Sequence, residues 1–340
     1  MKKSFIAVCM LFATTQAMAM DVDYFGKFRE FVEIDNITGG TSDNKPGVKL
    51  TNFISRVGIR LTEPLNDVTP GLKFNAVLDT LFFPDAPMQG LGTTPTTRST
   101  VLGSNQATVG FSNDRFTADF GRSAHAVWTM MRKYGPYSDL FGTPQGEIHN
   151  RRALRFNNGI FLTAKVTDNI TVGFENQLSE TQGVPDPKTF SVSYVNGPLD
   201  LSITHYDNGT SANVSNIIGA AYTFPTNTRV ALLVSSDKAS ATTISNVLFP
   251  ADTTTGVSIS ARQRLNDKWS AEAGYSHRDD GVDAYIAGVQ YQLNKNIALQ
   301  ARSQYVKADN VINFTTSNDL VGGVLGKERI NAGIGMEVTF

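Results

Sequence analysis

The chain has 340 residues, with 30 Lys and Arg against 31 Asp and Glu, and a formal charge of −1. That balance gives no footprint for nucleic acid. The single cysteine, Cys9, falls in the first apolar run, so neither a disulfide framework nor thiolate chemistry is expected of the rest.

The first nineteen residues combine a basic start (Lys2, Lys3), an apolar run from Phe5 to Thr14 and the small-x-small site Ala17-Met18-Ala19. This pattern reads as a secretory signal peptide, residues 1–19, followed by a single unit, residues 20–340. A lipoprotein reading at Cys9 is disfavoured, because Val8 precedes the cysteine where a small residue is wanted. Mean hydropathy is −0.17, and no later apolar run approaches the ~18 residues of a membrane helix. A β-barrel evades both tests, since alternate residues face water and lipid.

The first strand, VDYFGKFREFVEI, puts Val22, Tyr24, Gly26 and Phe28 on one face and Asp23, Phe25, Lys27 and Arg29 on the other. A cation on the lipid side at mid-membrane costs about 2–4 kcal/mol, so Lys27 and Arg29 must face water. The same phase turns Arg56, Arg60, Lys73 and Arg155 away from the apolar residues of their own strands. Alternating segments follow near 50–62, 71–83, 104–113, 115–122, 151–166, 169–180, 189–196, 199–208, 215–224, 228–237, 254–265, 269–279, 282–294, 297–309 and 327–340. Together with the first they make sixteen, and an even number lets both chain ends meet on one side of a closed barrel. The last strand, NAGIGMEVTF, alternates cleanly and ends on Phe340.

Short connections rich in turn residues, such as Asn196-Gly197-Pro198 and Asn266-Asp267-Lys268, alternate with long ones at 35–49, 84–103, 123–150, 181–188, 209–214, 238–253 and 310–326. The segment 123–150 is too long for a turn and has no strand pattern. Its aromatics, Trp128, Tyr134, Tyr137 and Phe141, argue against disorder. It is expected to fold into the lumen and narrow a pore. Arg122, just before it, sits in the wrong phase for the lumen unless a bulge follows Gly121. The fold expected is all-β, a sixteen-stranded antiparallel transmembrane barrel. A soluble β-sandwich would also alternate, but one phase over sixteen strands, without a composition shift, favours the barrel.

Several stretches resemble the trimeric general-diffusion porins of Gram-negative outer membranes. YFGKF is similar to that family's first strand, SRVGIRLTEPL to its second strand and first turn, GLKFNAVLDT to its third strand, and FTADFGRSA to the strand entering the constriction loop. SYVNGPLDLSITHY is similar to a later hairpin, and the terminal VTF to the Phe-ended strand read by the barrel-assembly machinery. The resemblance implies a homotrimer in the outer membrane, in contact with its lipid and lipopolysaccharide, passing small hydrophilic solutes and ions. It implies that 123–150 is the third extracellular loop, and that Lys27, Arg56, Arg122 and Arg155 form a basic constriction wall. Opposite them the loop would offer Asp139 and Glu147, with Arg132 and Lys133 added; Arg29, Arg60 and Lys73 would line the lumen elsewhere. The tip PYSDLFGTPQGE departs from the acidic PEFGG-type tip of enteric members, which leaves ion preference open.

Two other functions compete. A substrate-specific channel would need an aromatic track, and the inward Phe25, Phe31 and Phe161 are scattered. A barrel enzyme needs an oriented histidine, whereas His125, His149, His205 and His277 fall in different elements and read as solvated. GVLGKE at 323–328 lacks the spacing of a phosphate loop, and Asp43, Asp85 and Asp252 read as plain surface charge. No cofactor or metal is expected.

Overall fold

The computed structural model describes residues 20–39, 44–52, 55–82, 105–136, 149, 155–179, 183–209, 214–239, 242–244, 247–249, 252–315 and 323–340. In chain order the elements are β1 (Asp21–Thr38), β2 (Asn44–Asn52), β3 (Ser55–Pro64), β4 (Lys73–Phe82), β5 (Gln106–Ser112), β6 (Phe116–Ala124), α1 (Ala126–Tyr134) and β7 (Arg155–Lys165). Then come β8 (Ile170–Gln177), β9 (Lys188–Asn196), β10 (Leu199–Asp207), β11 (Val214–Thr223), β12 (Thr228–Ala239), β13 (Thr242–Ile244) and β14 (Val247–Phe249). The last are β15 (Asp252–Arg264), β16 (Trp269–Arg278), β17 (Val282–Gln292), β18 (Ile297–Thr315) and β19 (Gly323–Thr339).

Neighbours in sequence pair antiparallel, and β1 closes the ring by pairing with β19 through Lys27↔Thr339 to Thr38↔Glu328. β2 and β3 line up against the upper and lower parts of β1, so the pair counts as one stave. β13 and β14 form a separate hairpin. The result is a closed barrel of sixteen antiparallel strands, as the alternation predicts.

The period of two explains the shape. On the outer face, side chains such as Val32, Ile203, Ile218, Leu232, Ile259 and Ile334 stand exposed, while their sequence neighbours face inward. Aromatics collect at two levels of that face. Phe74–Phe111, Trp269–Tyr291 and Tyr222–Phe224 are in ring contact near the short turns, and Tyr275, Tyr285 and Tyr305 stack nearer the long loops. Amphipathic rings favour the two membrane interfaces.

The strands at the closure are longer than the pattern suggests. β1, β18 and β19 run 18, 19 and 17 residues, where ~9–11 cross a bilayer. The long connections expected at 35–49, 238–253 and 310–326 are therefore shorter, and hydrogen-bonded ladder replaces part of each. Ladder pairing continues above the lipid because inward Ile37, Val282, Ala284, Val306, Ala308 and Ile312 bury one another there.

Candidate functional site

The interior is organised by α1. His125 caps it: His125 Nδ1 accepts the Val127 N–H at 2.8 Å, and Glu175 Oε2 accepts the Ala126 N–H at 3.0 Å. Two of the helix's orphan donors are thus satisfied. His125 Nε2 lies 3.1 Å from Thr189 Oγ1, and the ring packs edge-on to Phe156 and Tyr206. Burial pushes the imidazole down to about 3, so it is neutral and acts as a polar peg.

The apolar face of the helix, Val127, Trp128, Met130, Met131 and Tyr134, is buried against Phe156, Tyr206, Ile217, Ala221, Ala231 and Leu233. These wall residues point inward, since Ile218, Tyr222 and Leu232 between them stand exposed outside. β11 and β12 therefore carry apolar residues on both faces, which fits a wall with lipid on one side and a docked helix on the other.

The C-terminal end is held by Asp200 on β10. The Tyr134 hydroxyl donates to Asp200 Oδ1 at 2.6 Å and lies 2.7 Å from Ser202 Oγ, and Lys133 Nζ is 2.7 Å from the same Asp200 oxygen. Burial, then the Asp200 contact, raises the Tyr134 phenol well above its ordinary range. The Tyr134 ring fills the space that a side chain at position 219 would need, and Pro136 does the same over Gly274 on β16. Two glycines thus let the loop lie close on the wall. Further along, His149 is fully buried, with Nδ1 2.8 Å from Ser235 Oγ and Nε2 2.6 Å from Ser258 Oγ. Ser235 donates its own hydroxyl to Asp237. Burial, with the Arg278 charge second, pushes His149 down to about 3. The reading of His125 and His149 as solvated is therefore corrected; both are anchors between the loop and the wall.

Of the basic residues expected on the wall, Lys27 and Arg29 share Glu337, Lys27 Nζ lying 3.2 Å from its Oε1. Arg56 pairs with Asp79 at 3.1 Å and Arg60 with Asp23 at 3.3 Å, and both guanidinium groups flank the Phe25 ring. Lys73 lies at the short-turn end, opposite Ser112, on the face of Asn75 and Asp79. The β6–β7 register shifts between Gly121↔Gly159 and Ser123↔Phe156, but the extra residue falls on β7, at Asn157–Asn158, and not after Gly121 on β6 as expected; Asn158 has φ at +51°. On β6 Arg122 keeps its register opposite Ala107 of β5, and its guanidinium donates to Asn157 Oδ1. Arg132 is exposed on the last turn of α1. Asp139 and Glu147 lie outside the described residues, as do the signal segment and the side chain of Arg155.

The sequence model of Gram-negative porins matches residues 6–311. The chain belongs to that family. Three solved porin-fold structures show how far the likeness extends. The anion-selective porin from Comamonas acidovorans is 18% identical, with 94% of this chain and 100% of that one covered and a TM-score of 0.75. Outer-membrane expressed OmpT of Vibrio cholerae is 14% identical over 96% and 99%, with a TM-score of 0.66. OmpF of Salmonella typhi, solved with daunomycin, is 14% identical over 94% and 97%, with a TM-score of 0.65. No curated protein matches the chain in sequence. The protein is an outer-membrane β-barrel porin.

In this porin Asp200, Asp79 and Glu337, the wall carboxylates that hold the cations, and the paired Arg229 and Arg262 on β12 and β15 have no local pattern that marks them in the sequence. The only sequence signal for the helix dock is the run of apolar residues in both phases at Ile217–Ala221 and Val230–Val234.

Proposed function

We propose that this porin is a passive diffusion channel for small hydrophilic solutes and ions, narrowed by the segment 123–150. The observation that carries the reading is α1, seated on the inner wall with its apolar face buried and its C-terminal end tied to Asp200. A rigid insert on one wall, facing a wall that carries Lys27, Arg29, Arg56 and Arg60, makes a charged constriction. Arg122 and Arg155 extend that wall, and Asp139 and Glu147 are the loop's acidic contribution. One unit pair ~8 Å apart in water is worth only about 0.5 kcal/mol, so selectivity is weak and comes from several charges acting together. The buried rings Trp128, Phe156 and Tyr206 are covered by the helix packing and offer no track to a solute, which favours general diffusion over an aromatic-guided channel.

Residues 1–19 are the export signal on this reading, and Phe340 is the feature read during assembly. The working unit is a homotrimer set among outer-membrane lipid and lipopolysaccharide, an assembly that a related Vibrio cholerae porin structure also adopts. Liposome swelling tests the function: vesicles holding the refolded protein should admit small sugars at rates that fall steeply with size. Vesicles that swell no faster than protein-free ones would refute it.

A further inference from the structure

The wall beneath α1 carries cations of its own. Arg229 on β12 and Arg262 on β15 are directly paired positions of neighbouring strands. Arg229 is in phase with buried Ala231 and Leu233, and Arg262 with buried Ser258 and Ser260, so both belong to the inward face. Like charges directly across a strand pair repel, and the arrangement costs stability unless a counter-charge arrives.

The wall supplies little of that charge. Asp200 is shared: Lys133 Nζ lies 2.7 Å from Oδ1 and Arg229 Nη2 3.8 Å from Oδ2. Arg262 is exposed and has no ion pair among the described residues; Glu272, its partner across on β16, makes none with it. Lys133 and Arg229 also lie 5.2 and 5.8 Å from the Tyr134 ring, which steadies both. Pro136 covers Gly274, one inward step along β16 from Glu272, so the loop passes directly above this group.

We propose that Lys133, Arg229 and Arg262 form an anion-binding station on the wall under the loop helix, taking small solutes that carry a phosphate or carboxylate. The proposal rests on the diffusion reading above and adds the class of solute. A guanidinium fork matches the paired oxygens of either group, and the lysine acts as a point charge beside it. All three cations remain partly open to solvent, so a solute is held briefly and released, as conduction requires.

Inorganic phosphate is the probe. Potassium chloride current through the wild-type channel should fall saturably as phosphate is added, and the half-blocking concentration should rise about tenfold in Arg262→Gln. Arg262→Lys should keep most of the block, and Lys295→Gln, in the short turn between β17 and β18, at the same end of the barrel but away from β12 and β15, should keep all of it. Absence of block in the wild type, or equal block in Arg262→Gln, overturns the station and leaves the channel standing. Phosphate binding to the purified barrel, followed by phosphorus NMR line broadening, needs no current. Broadening lost in Arg262→Gln supports the station even in a barrel that fails to conduct, a result that would sink the diffusion reading alone. Broadening that persists in the variant overturns the station.

Discussion

The Phe340 ring occupies the space over Gly26 where any side chain at that position would project. Gly26 N–H donates to the Phe340 carbonyl at 2.9 Å, Phe340 N–H donates back at 3.2 Å, and the ring stacks on Phe28 at 5.8 Å. The last residue of the chain therefore seals the first strand. The space over Gly26 is filled by the chain's own last residue. Gly26→Leu should displace the ring and lower barrel stability by about 1–3 kcal/mol. Guanidinium unfolding of protein refolded in detergent reads this without involving cellular assembly; an unchanged midpoint would count against the seal.

The loop's lower anchor is open to a similar test. Gly219→Ala places a methyl group in the space of the Tyr134 ring, and Tyr134→Phe removes the hydroxyl bonded to Asp200 and Ser202. Losing those bonds costs about 1 kcal/mol or more locally. Both variants should form folded barrels whose single-channel conductance differs from wild type and whose open-channel noise is greater. Traces superimposable on wild type would show that the anchor does not set the loop's position.

Acid should loosen the loop before it attacks the barrel. His125 and His149 are held down to about 3 from an ordinary 6.5, so the folded protein keeps them neutral where the unfolded chain takes up protons. Their contribution is complete above about pH 6.5 and drains away as the pH falls toward 3. The slope is about 1.4 kcal/mol per pH unit for each histidine. Melting temperatures at pH 7.5, 5.5 and 4.5 should decline accordingly, and His149→Gln should flatten the decline. Equal slopes in the two proteins would contradict the assignment.

Charge on the expected wall should govern ion preference. Lys27→Ala leaves Glu337 to Arg29 alone, and Arg155→Ala removes a cation at the start of β7. One unit charge ~8 Å from the ion path is worth about 0.5 kcal/mol, roughly a factor of two in the cation-to-anion permeability ratio. Reversal potentials in a salt gradient should shift toward cations in both variants; no shift would remove these residues from the wall.

Much of the barrel is legible because one rule repeats: neighbouring residues see opposite solvents, and Lys27 and Arg29 fix which is which. The bulge beside Gly121 is only half legible: the phase of Arg122 asks for an extra residue on β6, and it falls on β7 at Asn157–Asn158. The helix dock is not legible. Ile217 and Leu233 look like surplus hydrophobic residues until the apolar face of α1 joins their cluster. Nor is the Asp200 anchor, since its partner Tyr134 lies 66 residues earlier and no local pattern joins them. His149 illustrates the same limit, because its serines come from β12 and β15, 86 and 109 positions onward.

Single-channel recording tests the central claim most directly. Refolded protein added to a planar lipid bilayer in potassium chloride should produce discrete current steps that scale with bulk electrolyte conductivity, as an open aqueous path requires. A protein of verified barrel fold that inserts into the bilayer and passes no current, or whose current saturates at low salt, would contradict the account.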